Sequence, residues 1–181
     1  MLFVCSDIHG DHQALQLTLA AFERSGASHF ICLGDVLNHG PRNPLPEHYA
    51  PLAVAADLNK IAERIIAVRG NCDSEVDQAL CDFPLLADYN QLVLGKRKVF
   101  LCHGHQYGPN KLPPLAEGDL LVSGHSHIPQ ASQEGSHFVL NPGSVSMPRQ
   151  DWQASYALIT EQLLRVCSLI DNKPLLTCSL S

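Results

Sequence analysis

The chain has 181 residues, of which 45% are apolar and 17% charged. That is enough for one globular domain that buries roughly 70% of its unfolded surface without a disulfide or metal to hold it together. A formal charge of −6 argues against an extended nucleic-acid interface but leaves room for a small anionic substrate, because a bound cation reverses the local field.

Residues 1–6 (MLFVCS) predict a buried strand; the run ends too soon for a signal peptide, and no later stretch approaches a membrane span. Residues 11–25 place Leu15, Leu19 and Phe22 at i, i+4 and i+7, which predicts a helix. HFICLG (29–34) reads as a second strand and the Pro-rich HGPRNPLP (39–46) as a loop. Residues 48–65 carry Val54, Leu58, Ile61 and Ile65 on one helical face, with Pro51 near the start, where its missing N–H does no harm. RIIAVRG (64–70) predicts a third strand, 73–82 a short helix, 92–104 a hairpin turning at Gly95, and 119–125 another strand. Between the last two, 108–118 is a long loop and a candidate site wall. Beyond them HFVLNPGS, SYALITE and LLRVCSLI are strand-like with short connections. A βαβαβ start followed by antiparallel strands suggests an α/β, two-sheet sandwich spanning residues 1–181 as a single domain, rather than a doubly wound sheet.

The residues that follow the predicted strands are polar and able to hold metal. Asp7 and His9 come after the first, Asp35 after the second, Asn71 after the third, His103 after VFLC, and His125 and His127 after LLVSG. Sites in open α/β sheets form at the carboxyl edge. On an extended segment His125 and His127 would face one side. The set contains two carboxylates, one amide and four imidazoles. It lacks a thiolate, which argues against a structural zinc site, and mixed oxygen and nitrogen donors suit Mn, Fe, Co, Ni or Zn. These donors are more than one ion commonly takes; two ions about 3.5–4 Å apart, sharing a carboxylate, would use them all. No P-loop and no G-x-S-x-G elbow is present. The seven cysteines include no C-x-x-C pair and read as reduced thiols of a cytoplasmic protein.

Taken in order, SDIHG, LGDVLNHG, RGNCD, CHGH and GHSH resemble the D-x-H, G-D, G-N-H-(D/E), H and G-H-x-H motifs of the calcineurin-like metallophosphoesterases, from Asp7 to about Arg149. The short length, the GNCD variant and NPGSVSMPR resemble the small YfcE-type phosphodiesterases, a branch that also contains the retromer scaffold subunit of vacuolar sorting. The resemblance implies a two-sheet sandwich flanked by helices. It assigns Asp7, His9 and His127 to a first metal, Asn71, His103 and His125 to a second, and Asp35 to a bridge. It implies two divalent transition metals, manganese before Fe, Co, Ni or Zn. The reaction implied is hydrolysis of a small phosphodiester by a hydroxide activated between them, with Asp35, Asn71 and His103 at the chemistry. The alternatives are a phosphomonoesterase or nucleotidase, and a non-catalytic scaffold of the retromer type. Family members often self-associate, which leaves a homo-oligomer open.

Cys72 departs from the pattern: it stands where relatives often carry a histidine thought to protonate the leaving group. A thiol donates poorly by comparison, so Cys72 is not expected to be the main acid, and good leaving groups should be favoured. Asp73 is expected to orient His103 or to cap the next helix. Asn38, Arg42 and His105 are candidate substrate contacts, Arg149 a phosphate candidate, and Tyr107 a pocket wall. His12, His29, His48 and His137 read as structural or solvent-facing.

Overall fold

The computed structural model describes all 181 residues. Strands β1 (Leu2–Cys5), β2 (His29–Cys32) and β3 (Ile65–Ala67) run parallel, with helices α1 (His12–Ser25) and α2 (Pro51–Asn59) in the crossovers. The Asp11 carboxylate accepts the Ala14 N–H at 2.9 Å and starts α1. Gly26, at φ +67°, ends it in a left-handed turn that a Cβ would disfavour. Phe22 on its buried face meets Phe3 and Phe30 with ring centroids 5.5 and 5.2 Å apart.

The expected 48–65 helix is shorter. Pro51 opens it, it ends at Asn59, a 3-10 turn covers Ala62–Arg64, and Ile65 already belongs to β3. The apolar period runs on because Leu58 and Ile65 pack into the same core from different elements. The expected 73–82 helix contracts to α3 (Glu75–Gln78), started by a capping box between Ser74 and Asp77.

β4 (Tyr89–Leu94) and β5 (Arg97–Cys102) form the expected hairpin around Gly95. β6 (Leu120–Val122), β7 (Gln130–Glu134), β8 (His137–Asn141), β9 (Ser155–Ile159), β10 (Leu163–Ser168) and β11 (Pro174–Ser179) complete two mixed sheets, ordered β11-β10-β9-β1-β2-β3 and β4-β5-β6-β8-β7. The later strands are not all antiparallel: β5, β6 and β8 run parallel. The long segment before β6 and the detour through β7 are what allow those crossovers without a helix.

One core cluster lies between the sheets, where Val4, Ile31 and Val166 meet Val99, Leu120 and Leu140. A second lies between the first sheet and the helices. The outer face of the second sheet carries no helix; Tyr107 and Leu115 cover its Phe100, Cys102 and Leu121. The 108–118 loop is therefore mainly a cover for this sheet. The layers bring the ends of β1, β2, β3, β5 and β6 to a common edge, as the contacts between their exit residues show.

Candidate active site

The chain turns sharply as it leaves those strands. Asp7, His9, Asp35, His125 and His127 all have φ between 51° and 66°. Left-handed backbone is costly for residues with a Cβ, though Asp, Asn and His adopt it more readily than most. Hydrogen bonds hold the bends: Asp7 N–H donates to Gly34 O at 3.1 Å, and His9 N–H to Asp35 O at 2.9 Å. The exits approach so closely that a Cβ on Gly70 would collide with Asp35, and one on Gly124 with Ser6 Oγ.

Three imidazoles are aimed from behind. Nδ1 of His9 donates to Asn38 O at 2.9 Å, Nδ1 of His103 to Leu33 O at 2.7 Å, and Nδ1 of His127 to Met147 O at 2.6 Å. A carbonyl only accepts, so each ring turns Nε2 to the interior, a lone pair wherever that nitrogen carries no proton. His125 differs: its Nδ1 lies 3.2 Å from His103 Nε2.

Asp7 is fully buried. Its Oδ2 accepts from Ser6 Oγ at 2.6 Å and from His125 N–H at 3.0 Å. Oδ1 has no hydrogen-bond donor. It faces Nε2 of His127 at 3.2 Å and of His9 at 3.7 Å, and those two nitrogens are 3.4 Å apart. On the other side Asp35 Oδ2 lies 3.8 Å from His9 Nε2 and 3.5 Å from His103 Nε2, while Asn71 Oδ1 is 3.1 Å from His103 Nε2. Lone pairs thus point at lone pairs across both halves. Only a proton or a cation between them satisfies that arrangement, and the donor set fits divalent metal. The ligand atoms of Asp7, His9 and His127 lie within 4.8 Å of one another, as do those of Asp7, Asp35 and His103 and those of His9, Asp35 and Cys72. Asp35 stands between the two halves.

The charges follow from this packing. Burial opposes ionisation of Asp7, but the His127 contact and the charges of His103 and His127 hold its carboxyl well below the usual range. Asp35 is likewise lowered, burial being outweighed by the His103 contact. Burial works against a proton on His103, yet Asp35 and Asp7 hold its value up to about 9. Burial and the His103 charge lower His125. Burial, with Asp35 beside it, pushes the Cys72 thiol up to about 12, so it stays protonated.

Asp73 has neither of its expected roles. Its carboxylate accepts backbone N–H groups of Asp35 at 2.8 Å, Val36 at 2.9 Å and Gly70 at 2.7 Å. His103 is oriented by Leu33 instead, and the helix is capped by Ser74. Burial, against those three hydrogen bonds, places Asp73 at about 6. Tyr107 is not a pocket wall: it packs 5.6 Å from the Phe100 ring. Asn38, Arg42, His105 and Arg149 do line the cavity over the cluster, whose volume is about 770 Å³. His105 is exposed, its ring 5.3 Å from that of His103. His12 is structural, bonded to Asp57 on α2 at 2.8 Å.

Sequence reasoning missed the supports. Ser144 and Ser146 both donate to Asp7 O at 2.8 Å, and Ser144 Oγ also accepts the Met147 N–H at 2.8 Å. The NPGSVSMPR stretch is therefore a brace for Asp7 and His127; its serine spacing was the available signal.

Residues 1–162 match the family model described as the Calcineurin-like phosphoesterase superfamily domain. The chain is 52% identical over 171 residues to phosphodiesterase YfcE of Escherichia coli strain K12, covering 94% of this chain and 93% of that protein. Against the solved structure of the E. coli phosphoesterase YfcE the TM-score is 0.97 at 49% identity, over 99% of both chains. A single mutant of Vps29 from Entamoeba histolytica gives 0.62 at 21% identity over 98% of both chains, a likeness of fold alone.

Proposed function

Because the chain belongs to the calcineurin-like phosphoesterase superfamily, we propose that it is a metal-dependent phosphodiesterase acting on small phosphodiesters. The observation that carries this reading is the orphaned, fully buried Asp7 Oδ1 among inward-facing imidazole nitrogens. Asp7, His9 and His127 would hold one divalent ion, Asn71, His103 and His125 a second, with Asp35 shared. Manganese is the first choice, and Fe, Co, Ni and Zn suit the same donors. Two such ions would supply Lewis acidity to the phosphate oxygens and to an attacking water.

The chain's own residues fix the geometry of the reaction. The Leu33, Asn38 and Met147 carbonyls orient the rings, and Asp73 holds the backbone of Asp35. Water is the nucleophile, because no side chain offers one: the Cys72 thiol is held protonated. For the same reason it is a weak acid toward the departing alkoxide, which favours esters whose alcohol leaves unaided. No helix of the chain is long and apolar enough to cross a membrane, which is compatible with a cytoplasmic enzyme. The whole of 1–181 is read as one metallophosphoesterase domain, since β10 and β11, beyond the matched segment, pair within the first sheet.

Hydrolysis of bis-p-nitrophenyl phosphate by metal-stripped protein, with and without Mn²⁺, tests the proposal beside an Asn71→Ala control. Turnover that needs metal and is lost in the control is the expected result. Absence of turnover with two ions bound per chain would overturn it in favour of the scaffold.

A further inference from the structure

The cavity over the cluster has one carboxylate on its wall, Asp35, and two guanidiniums, Arg42 and Arg149. Four of the other arginines, Arg24, Arg64, Arg69 and Arg97, each donate to a neighbouring oxygen. Arg42, Arg149 and Arg165 have no such partner, in ion pair or hydrogen bond, and of these three only Arg42 and Arg149 stand at the cavity.

Their mountings are built rather than loose. In the loop that carries Arg42, Gly40 N–H donates to Asn38 Oδ1 at 2.8 Å and Asn43 Nδ2 donates to His39 O at 2.8 Å. The carbonyl of the same Asn38 holds His9 Nδ1 at 2.9 Å. Arg149 N–H donates to His127 O at 3.3 Å, and Arg149 O accepts from Trp152 N–H at 3.2 Å. Each arginine is therefore tied through backbone to one histidine of the Asp7–His9–His127 group. Arg149 stands near enough for its charge to act on His127, and both arginines are exposed at the cavity. The wall also contains no Phe, Tyr or Trp ring, which leaves His105 as its one exposed ring for a nucleobase to stack on.

We propose that Arg42 and Arg149 form a subsite for a second anionic group on the substrate. The substrate is then a compact hydrophilic diester, one arm of which carries a further phosphate or carboxylate. This rests on the phosphodiesterase reading and narrows it to a substrate class. Arginine suits the task because its planar fork takes both oxygens of such a group at once.

Calorimetric binding to the Mn-loaded protein tests it with two probes of similar size, 2-phosphoglycolate and ethyl phosphate. Only the first has a second anion. It should bind at least about tenfold more tightly, the effect of one or two charge-assisted hydrogen bonds. In Arg42→Gln/Arg149→Gln the preference should fall below about threefold, and each single variant should remove part of it. Metal content and melting temperature, measured alongside, show that the variants fold. Equal affinity in the unaltered protein would overturn the proposal. So would a preference that survives in the double variant, since the carboxylate would then be bound by the cations. The phosphodiesterase reading fails separately, through absent Mn-dependent turnover of bis-p-nitrophenyl phosphate while the binding preference persists.

Discussion

Replacing Asp73 asks whether a single carboxylate clamps the exits of β2 and β3. It accepts three buried backbone N–H groups, from Asp35, Val36 and Gly70, at 2.7–2.9 Å. A buried donor left without a partner costs about 1–3 kcal/mol. Asp73→Ala strands all three; allowing a water to satisfy one, the loss should be about 2–6 kcal/mol. Asp73→Asn keeps the shape. Its remaining oxygen can serve Asp35 and Gly70, which share Oδ2, but its amide group then meets the Val36 N–H, donor against donor. That variant should lose about 1–3 kcal/mol. Urea unfolding of the metal-free protein, followed by circular dichroism, measures both. Bound Mn²⁺ should also weaken in both variants, because Asp35 and Asn71 lie on the clamped exits. An alanine variant within about 1 kcal/mol of the parent, or no worse than the asparagine variant, would refute this account of the clamp.

Three further outcomes are expected. Ser144→Ala leaves the Met147 and Ser146 N–H groups without their acceptor, a loss of about 2–4 kcal/mol that should lower the melting temperature by about 5–15 °C; a drop under about 2 °C would deny the brace its role. His103, held up to about 9, carries a proton at pH 7.5 that must leave before the ring can ligate. Mn²⁺ affinity should therefore rise with pH toward that value, and binding heats should depend on the buffer's ionisation enthalpy, whereas buffer-independent heats would contradict it. Because the folded value lies above the ordinary 6.5, this group's stabilisation of the metal-free protein is fully present below pH 6.5 and is lost as pH rises through about 9. Cys72→Ala should keep its metal and remain within about threefold of the parent on bis-p-nitrophenyl phosphate, and Cys72→His should gain on poor leaving groups; loss of turnover in the alanine variant with full metal would make the thiol essential.

The seven candidate ligands were legible because chemistry demands particular side chains, and each follows an apolar run that is a strand for independent reasons. What supports them was not. Leu33, Asn38 and Met147 act through carbonyl oxygens, which every residue possesses, so no side chain marks them. Asp73 was visible as an acid beside Asn71, but its partners are backbone amides that only the tertiary approach of β2 and β3 brings near. Tyr107 and the loop after it looked like a pocket wall because long loops without secondary structure of their own often serve sites. The uncovered face of Phe100 and Leu121 had a stronger claim on them. β7 was invisible for a related reason: QASQE lies at a sheet edge and lacks the alternation that burial on one face would impose.

The charge of the site explains why an acidic chain can act on an anion. Once the His103 proton has left to make way for metal, Asp7 and Asp35 contribute −2, Asn71 and the imidazoles contribute nothing, and Arg42 and Arg149 return +2, so the cavity's own residues come close to balance while the whole chain carries −6. Attraction for a phosphodiester therefore depends on cations at the cluster, where two divalent ions would add +4. Substrate and metal then stabilise one another by the same factor, as linkage requires. The arginines add little to the capture of a singly charged diester that the cations already hold. Their selectivity appears when a second negative group must be placed beyond the cluster's reach, and there the cost of desolvating that group decides which esters enter.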